Sequence, residues 1–513
     1  MTPSADPQRL SRTPWAFALA AMCFVGLWPL IGGMIAVNDD IKFVRVPAHA
    51  ESLWSQIRAA WGSSPSFRPL ELLVAASCDE RTLRAPLAVP LQIAGLITLC
   101  LALPPLSRRI MPGHPWVAPM AMLWIALSPG TSVSAWQVDT ISQTWSAALG
   151  LWAIEFAWRA FDAARTGRPM TPTCLVLAAI FVVGVNVKET FYGWSAGIGL
   201  CVIGAIAFLT RRERATAARL AWTLLPVIVI PVLHLVLRWS TGAMSRSLEA
   251  GGEGRYQLEF GMNLLLNAAQ SVAGTAGTGP FHAMTDAEAP IVVRSLPILS
   301  LAIDACVLAL ALECTVLQRP AGRRGTLGAA TVACVAGMIS LAVTFPMGAV
   351  SELYGFGANC CVALLLASAV IWLCTEANSA LVRRATASLA LIAIMLGMIG
   401  LAGRAHHFER TWRTTRSIND QILAFMERRP AAPRHFDAPV SVLYFPAACR
   451  PLRSHGAYIM PAAQAIDILN TVDWMMRLHP RHPTTFSLDQ SARNPTPYEL
   501  EIDCAGANQT GHW

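Results

Sequence analysis

Ionisable side chains inside or at the ends of long apolar blocks are costly in a membrane, which makes each one a candidate for function. In this chain they gather on a few connections. Asn38, Asp39 and Asp40 follow the first apolar block, with Lys42 just beyond. Arg68 stands before a proline in Phe67-Arg68-Pro69-Leu70. Asp139 opens a later block, after Gln137 and before Ser142 and Gln143, and Lys188 with Glu189 fills a very short connection. His234 and Arg238 end one block, and Glu352 with Tyr354 begins another. Carboxylates so placed can accept a proton or bind a divalent cation. The cations can hold an anion. An arginine before proline is kept extended, and its planar fork suits a phosphate. Lysine is rare here: Lys and Arg total 39, yet only Lys42 and Lys188 are lysines.

Each group also has a plain structural reading. Asp39 and Asp40 read equally as the solvated end of an anchor helix. Lys188 and Glu189 read as a local ion pair in a tight turn, and Asp139 as a charge favoured by the dipole at a helix N-terminus. Glu155, Asp304 and Glu313 are exceptions, lying in the middle or the inner parts of their blocks. What sets the first group apart is that its members fall on alternate connections.

Those connections belong to a membrane bundle. Of 513 residues, 54% are hydrophobic and 14% charged, against about 25% charged in soluble proteins. The mean hydropathy is +0.47. The apolar residues come in blocks of about 20, the length that crosses a bilayer. They run over 15–37, 86–106, 115–132, 139–158, 172–187, 191–210, 219–240, 291–317, 326–346, 353–375 and 385–403. The expectation is an all-α polytopic bundle of about eleven spans. The net charge of +8 is no nucleic-acid signal, because it consists of short arginine clusters between blocks. These clusters are Arg108–Arg109, Arg159/Arg165/Arg168, Arg211/Arg212/Arg214/Arg219, Arg319/Arg323/Arg324 and Arg383–Arg384. They fall on every second connection, which the positive-inside rule makes cytoplasmic. The N-terminus is then inside, and 38–85, 133–138, 188–190, 241–290, 347–352 and the tail face outward.

The first outer loop, 38–85, carries Leu53, Ile57 and Trp61 at a spacing of four with Trp54 beside them, a short amphipathic helix at the interface. The chain divides into a transmembrane unit, 1–404, and a small outer C-terminal α/β domain, 405–513. In that domain 405–428 reads as a helix on the membrane, Val440–Phe445 and Tyr498–Ile502 as strands, and 462–478 as a helix. Most of the 13 cysteines lie in apolar blocks and act as small hydrophobes. Cys449 and Cys504 fall in the tail, where an oxidising compartment permits a disulfide.

An acidic pair after the first span, an interfacial helix and an aromatic-Arg-Pro-Leu segment resemble the first outer loop of C-type membrane glycosyltransferases, in particular the bacterial relatives of protein O-mannosyltransferases. Lys188-Glu189-Thr190 is similar to a Lys-Glu element of that family, and Ser351-Glu352-Leu353-Tyr354 to a Ser-Glu-Leu-Tyr stretch in some members. The likeness covers the layout of residues 10–400 and four short motifs. It implies transfer of a sugar, with inversion, from a polyprenyl-phosphate donor to an acceptor hydroxyl on a glycan, lipid or protein, at the periplasmic face of a bacterial inner membrane. It implies Asp39 as general base, with Asp40 orienting the acceptor or helping to bind a divalent cation. It implies Lys188 and Arg68, with Lys42 as a further candidate, as donor-phosphate cations, and Asp139, Glu189, Glu352 and Tyr354 as further substrate contacts. Trp136, Tyr192 and Trp194 either line the pocket or pack. A glycan polymerase or ligase working through 241–290 is one alternative. A lipid-linked solute transporter is another, weakened by the absence of an internal repeat.

Overall fold

A computed structural model describes residues 69–75, 84–136, 140–241, 261–276, 291–317, 325–342, 352–428, 441–444, 486–489 and 500–501, together with a few single positions between 54 and 77 and at 345. The helices are α1 (Pro69–Ala75), α2 (Ala88–Ile110), α3 (Val117–Leu127), α4 (Pro129–Trp136), α5 (Ile141–Thr166), α6 (Thr171–Val187) and α7 (Phe191–Thr210). They continue as α8 (Arg214–Ala221), a π-helical turn at Leu225–Val229, α9 (Ile230–Ser240), α10 (Met262–Ala276), α11 (Ile291–Leu317), α12 (Gly325–Ala342), α13 (Glu352–Glu376) and α14 (Ala380–Arg428). Ten of the apolar blocks thus carry helix, while the first lies outside the described residues.

Among the described residues fewer spans are established than the expected eleven. Among the described residues five helices are long and apolar enough to cross a membrane: α2, α7, the run Arg214–Ser240, Gly355–Glu376 and Ala380–Ala405. A sixth arises if the bent pair α3–α4 is one span. Block 115–132 is therefore not one straight helix. The chain turns through 68° between α3 and α4, because Ser128 precedes Pro129 and is extended, at φ −71° and ψ 147°. A residue before proline is driven out of the helical region. The break frees carbonyls, and side chains take them up: Thr131 Oγ1 donates to Ile125 O, and Arg404 Nη2 to Leu127 O at 2.9 Å.

At the centre stands α13, with 83% of its most apolar 18-residue window buried. It packs against α3, α4, α5, α10, α11, α12 and α14, and Gly355, Gly357, Ala358, Cys360, Cys361 and Ala363 let those neighbours approach. The buried cysteines behave as the small hydrophobes expected of them. Trp194 of α7 lies where a side chain on Gly150 of α5 or Gly357 of α13 would have to be. Trp194 and Trp136 are both buried, so these two pack rather than open to a pocket.

The last helix departs from expectation as well. Residues 405–428 do not form a separate helix but continue the final span, giving α14 49 residues and a length of about 74 Å. The expected division at residue 404 therefore falls inside one helix. Beyond it, three short strands, Ser441–Tyr444 (β1), Phe486–Asp489 (β2) and Leu500–Glu501 (β3), pair in parallel in the order β2-β1-β3. Two of them lie within the expected strand segments. The segment 462–478, Cys449 and Cys504 lie outside the described residues.

Candidate functional site

The bundle has two chemically different ends. One is built from arginines. Arg109 at the end of α2 meets Glu155 at 2.7 Å and Asp162 at 2.5 Å, while Arg159 reaches Glu155 at 2.8 Å. Arg219 donates to the carbonyl of Arg168, Arg383 to that of Ala377 at 2.7 Å, and His114 lies 3.7 Å from Glu376. Four of the five basic connections thus meet at one end, as their alternation requires. Glu155, an exception in the sequence, is explained as the anchor for two of these arginines.

The opposite end holds the candidate site, and α5 joins the two: its first turn lies here and its last among the arginines. Here Pro69 starts α1, a position where its missing N–H costs nothing. Within this seven-residue helix Glu71, Leu72 and Val74 are buried. Ser142, in the first turn of α5, donates its hydroxyl to Glu71 Oε1, and Lys188 Nζ lies 3.6 Å from the same oxygen. Lys188 and Glu71 are each only 1% exposed. Lys188 was expected as a donor-phosphate cation on a very short outer turn. The structure instead buries it against a carboxylate of the first outer loop.

The turn itself is tightly held. Lys188 ends α6 in an extended conformation, and its carbonyl together with those of Glu189 and Thr190 accepts the first N–H groups of α7. Thr190 Oγ1 donates to Gln143 Oε1 at 3.2 Å and pairs with Ser146 Oγ at 3.2 Å. Gln92 of α2 donates to Ser134 O at 2.9 Å and Thr144 Oγ1 at 2.7 Å, fixing α4 and α5 around the same end.

Beside the turn lies a second polar group. Tyr192 hydroxyl and His234 Nδ1 are 2.6 Å apart. The His234 ring meets Trp61 edge-on at 5.2 Å, and the Arg238 guanidinium sits over the Trp61 ring at 5.5 Å. His234 and Arg238 are buried on one face of α9, while Leu233, Val236, Leu237 and Trp239 are exposed on the rest. Trp54, Ser55, Arg58 and Trp61 are helical, as the amphipathic spacing predicts. Trp61 packs on the bundle.

The structure therefore brings Lys188, Glu189 and Tyr192 together with Glu71, Trp61, His234 and Arg238. Asp39, Asp40, Lys42, Arg68 and Asp139 lie outside the described residues, and Glu352 and Tyr354 are placed only as backbone in the first turn of α13. Glu71 was missed by sequence reasoning, and so was Arg404, buried at this end with Nε 2.8 Å from Ser132 Oγ. A signal for Glu71 existed: a lone acid inside Leu70–Ala75, an otherwise apolar run. Among the described residues no group of three or more His, Cys, Asp or Glu could hold a metal ion, and Asp39 and Asp40 lie outside those residues.

No protein-family model and no curated protein matches the chain. Two solved structures of an oligosaccharyltransferase from Archaeoglobus fulgidus resemble it in outline. The apo form shows 12% identity and a TM-score of 0.44, with 88% of this chain and 64% of that one covered. The complex with Zn and sulfate shows 14% identity and a TM-score of 0.44, with 88% and 61% covered. This chain spans less than two thirds of the length of either, and likeness at that level assigns it no activity.

Proposed function

We propose that this is an integral-membrane glycosyltransferase that moves a sugar from a polyprenyl-phosphate donor to an acceptor hydroxyl at the end of the bundle holding Lys188 and Glu71. The observation that carries the reading is the double docking of the first outer loop. Glu71 pairs with Lys188, and Trp61 packs against His234 and Arg238. The loop that bears Asp39, Asp40, Lys42 and Arg68 in sequence is thereby tied to the polar end of the spans.

In this reading Asp39 accepts the proton of the acceptor hydroxyl as it attacks the anomeric carbon. One displacement inverts that centre. Asp40 orients the hydroxyl or helps bind a divalent cation. Arg68 and Lys42 hold the donor phosphate, on which negative charge grows as the sugar leaves. A direct phosphate contact by Lys188 is not part of the reading, because its ammonium is buried against Glu71. Asp139, Glu189, Glu352 and Tyr354 complete the substrate contacts. The apolar outer faces of the spans meet membrane lipid and the donor's tail. In this reading the end lies at the periplasmic face of a bacterial inner membrane, with the tail outside and the N-terminus in the cytoplasm, and the arginine alternation supports that orientation through the positive-inside rule.

The test is turnover and donor binding on purified protein with a polyprenyl-phosphate sugar. Asp39→Asn keeps the shape but takes no proton, so turnover should fall about 10²–10⁴-fold while the donor still binds. Full activity in Asp39→Asn would reject it as the base. Arg68→Ala should weaken donor binding as well as turnover, and an unchanged affinity would remove it from the phosphate site.

A further inference from the structure

The pair of Lys188 and Glu71 is a poor choice for stability alone. Burying two charges costs several kcal/mol per ion, and a well-packed apolar pair in the same space is often as stable or more so. At 3.6 Å it is also longer than the 2.7–2.9 Å typical of a charge-assisted hydrogen bond. What a buried pair does supply is register, because each charge accepts one partner in one place. The elements joined here need that. A seven-residue helix such as α1 does not hold itself together in water. It packs on α5 and α6, and Glu71 is its buried charge. A second group shares the arrangement: Ser142 donates to the same Glu71 oxygen that Lys188 faces. One carboxylate thus ties the first outer loop to the start of α5 and to the α6–α7 turn.

We propose that Glu71 and Lys188 are positioning residues: a buried ionic latch that seats α1 in one register and so sets where its first residue, Pro69, the sequence neighbour of Arg68, stands. The consequence for turnover rests on the transferase reading above. The seating of α1 does not. The latch acts through geometry, and misplacing a reacting partner by about 1 Å can cost about a hundredfold in rate.

The experiment uses the full chain in lipid nanodiscs, with hydrogen exchange on one side and turnover with a polyprenyl-phosphate sugar on the other. The exchange probes are the amides of Leu73, Val74 and Ala75, which a helix starting at Pro69 bonds internally. Glu71→Gln takes the carboxylate charge away from the buried Lys188, and Lys188→Met takes the ammonium away from Glu71. In both, protection of those three amides should fall about a hundredfold or more, with α13 unchanged. Turnover should fall about a hundredfold in kcat. The swap, Glu71→Lys with Lys188→Glu, restores the pairing and should recover protection and most of the turnover relative to either single variant. Should Lys188→Met fail to fold, Glu71→Gln and the swap still decide the matter. Unchanged protection in Glu71→Gln, or a swap no better than the single variants, overturns the latch. Protection lost and rescued in a protein that transfers no sugar keeps the latch and removes the transferase reading instead.

Discussion

Three glycines of α7 should respond to the same substitution with opposite signs. On α7, Gly193 and Gly197 are one turn apart and both press on the backbone of α12. A Cβ built on Gly193 would lie 2.2 Å from Ser340 O, and one on Gly197 2.1 Å from Ala336 O. Carbon and oxygen normally approach no closer than about 3.3 Å, so each added methyl falls short by more than about 1 Å. The obstruction is a carbonyl inside a helix, which cannot swing away as a side chain would, so α7 must move off α12. Overpacking of this kind costs about 1–3 kcal/mol. The same displacement relieves both clashes, so Gly193→Ala with Gly197→Ala should cost less than the two singles added. Gly204, two turns further along the same helix, has nothing within 4 Å of its would-be Cβ. There Ala should stabilise by up to about 1 kcal/mol through helix propensity alone. The assay is the unfolding midpoint of purified protein followed by tryptophan fluorescence, with turnover measured alongside. Because Thr190 and Tyr192 stand at the start of α7, the clashing variants should also slow turnover, whereas Gly204→Ala should not. The reasoning fails if Gly193→Ala and Gly197→Ala are as stable as wild type, or if Gly204→Ala is as damaging as they are.

Other outcomes follow from buried polar groups and from topology. Asp304 is 2% exposed at the middle of α11, and neither carboxylate oxygen has a hydrogen-bond partner among the described residues. Asp304→Leu should raise stability by about 1–3 kcal/mol, and a lower unfolding midpoint would show that the carboxyl is needed there. Arg404 takes up Leu127 O and Ser132 Oγ at the α3–α4 bend. Arg404→Met strands both and should cost about 1–3 kcal/mol, whereas an unchanged midpoint would mean that the bend holds itself. A reporter fused at residue 415 should read as outside the cytoplasm, and a cytoplasmic signal would reverse the assignment of both ends.

The parts of the fold that were legible in the sequence are those set by local pattern. Apolar runs give the helices, because a helix satisfies its own backbone wherever it lies. The arginine alternation gives the two ends, and Arg109, Arg168, Arg219, His114 and Arg383 do meet at one of them. Ser128-Pro129 was legible in principle as a break, since the restriction before proline is local. A hydropathy window passes over it because both flanks are apolar. Likewise the Gly193-xxx-Gly197 spacing is plain in the sequence, and small residues at that interval mark close helix packing. The identity of the partner, α12, is not local and is not written there.

The same distinction decides the site. Lys188 stands next to Glu189 in the chain, so a local pair is the natural reading of that turn, yet the carboxylate that buries it comes from another loop. A charge in an apolar setting says that a partner exists without saying which one, because pairing is settled by packing between elements far apart in sequence. His234 and Arg238 illustrate the converse. Their spacing of four places both on one face of α9, and that much is local. Their contacts, Tyr192 and Trp61, arrive from two other elements. A polar end of a membrane bundle is thus legible as a set of residues before it is legible as a site. What turns the set into a candidate site here is the loop after the first apolar block, which meets the spans at Glu71 and again at Trp61. Two contacts fix a segment where one would let it pivot, so Glu71 and Trp61 are bound to move together with this polar end whenever α6, α7 or α9 moves.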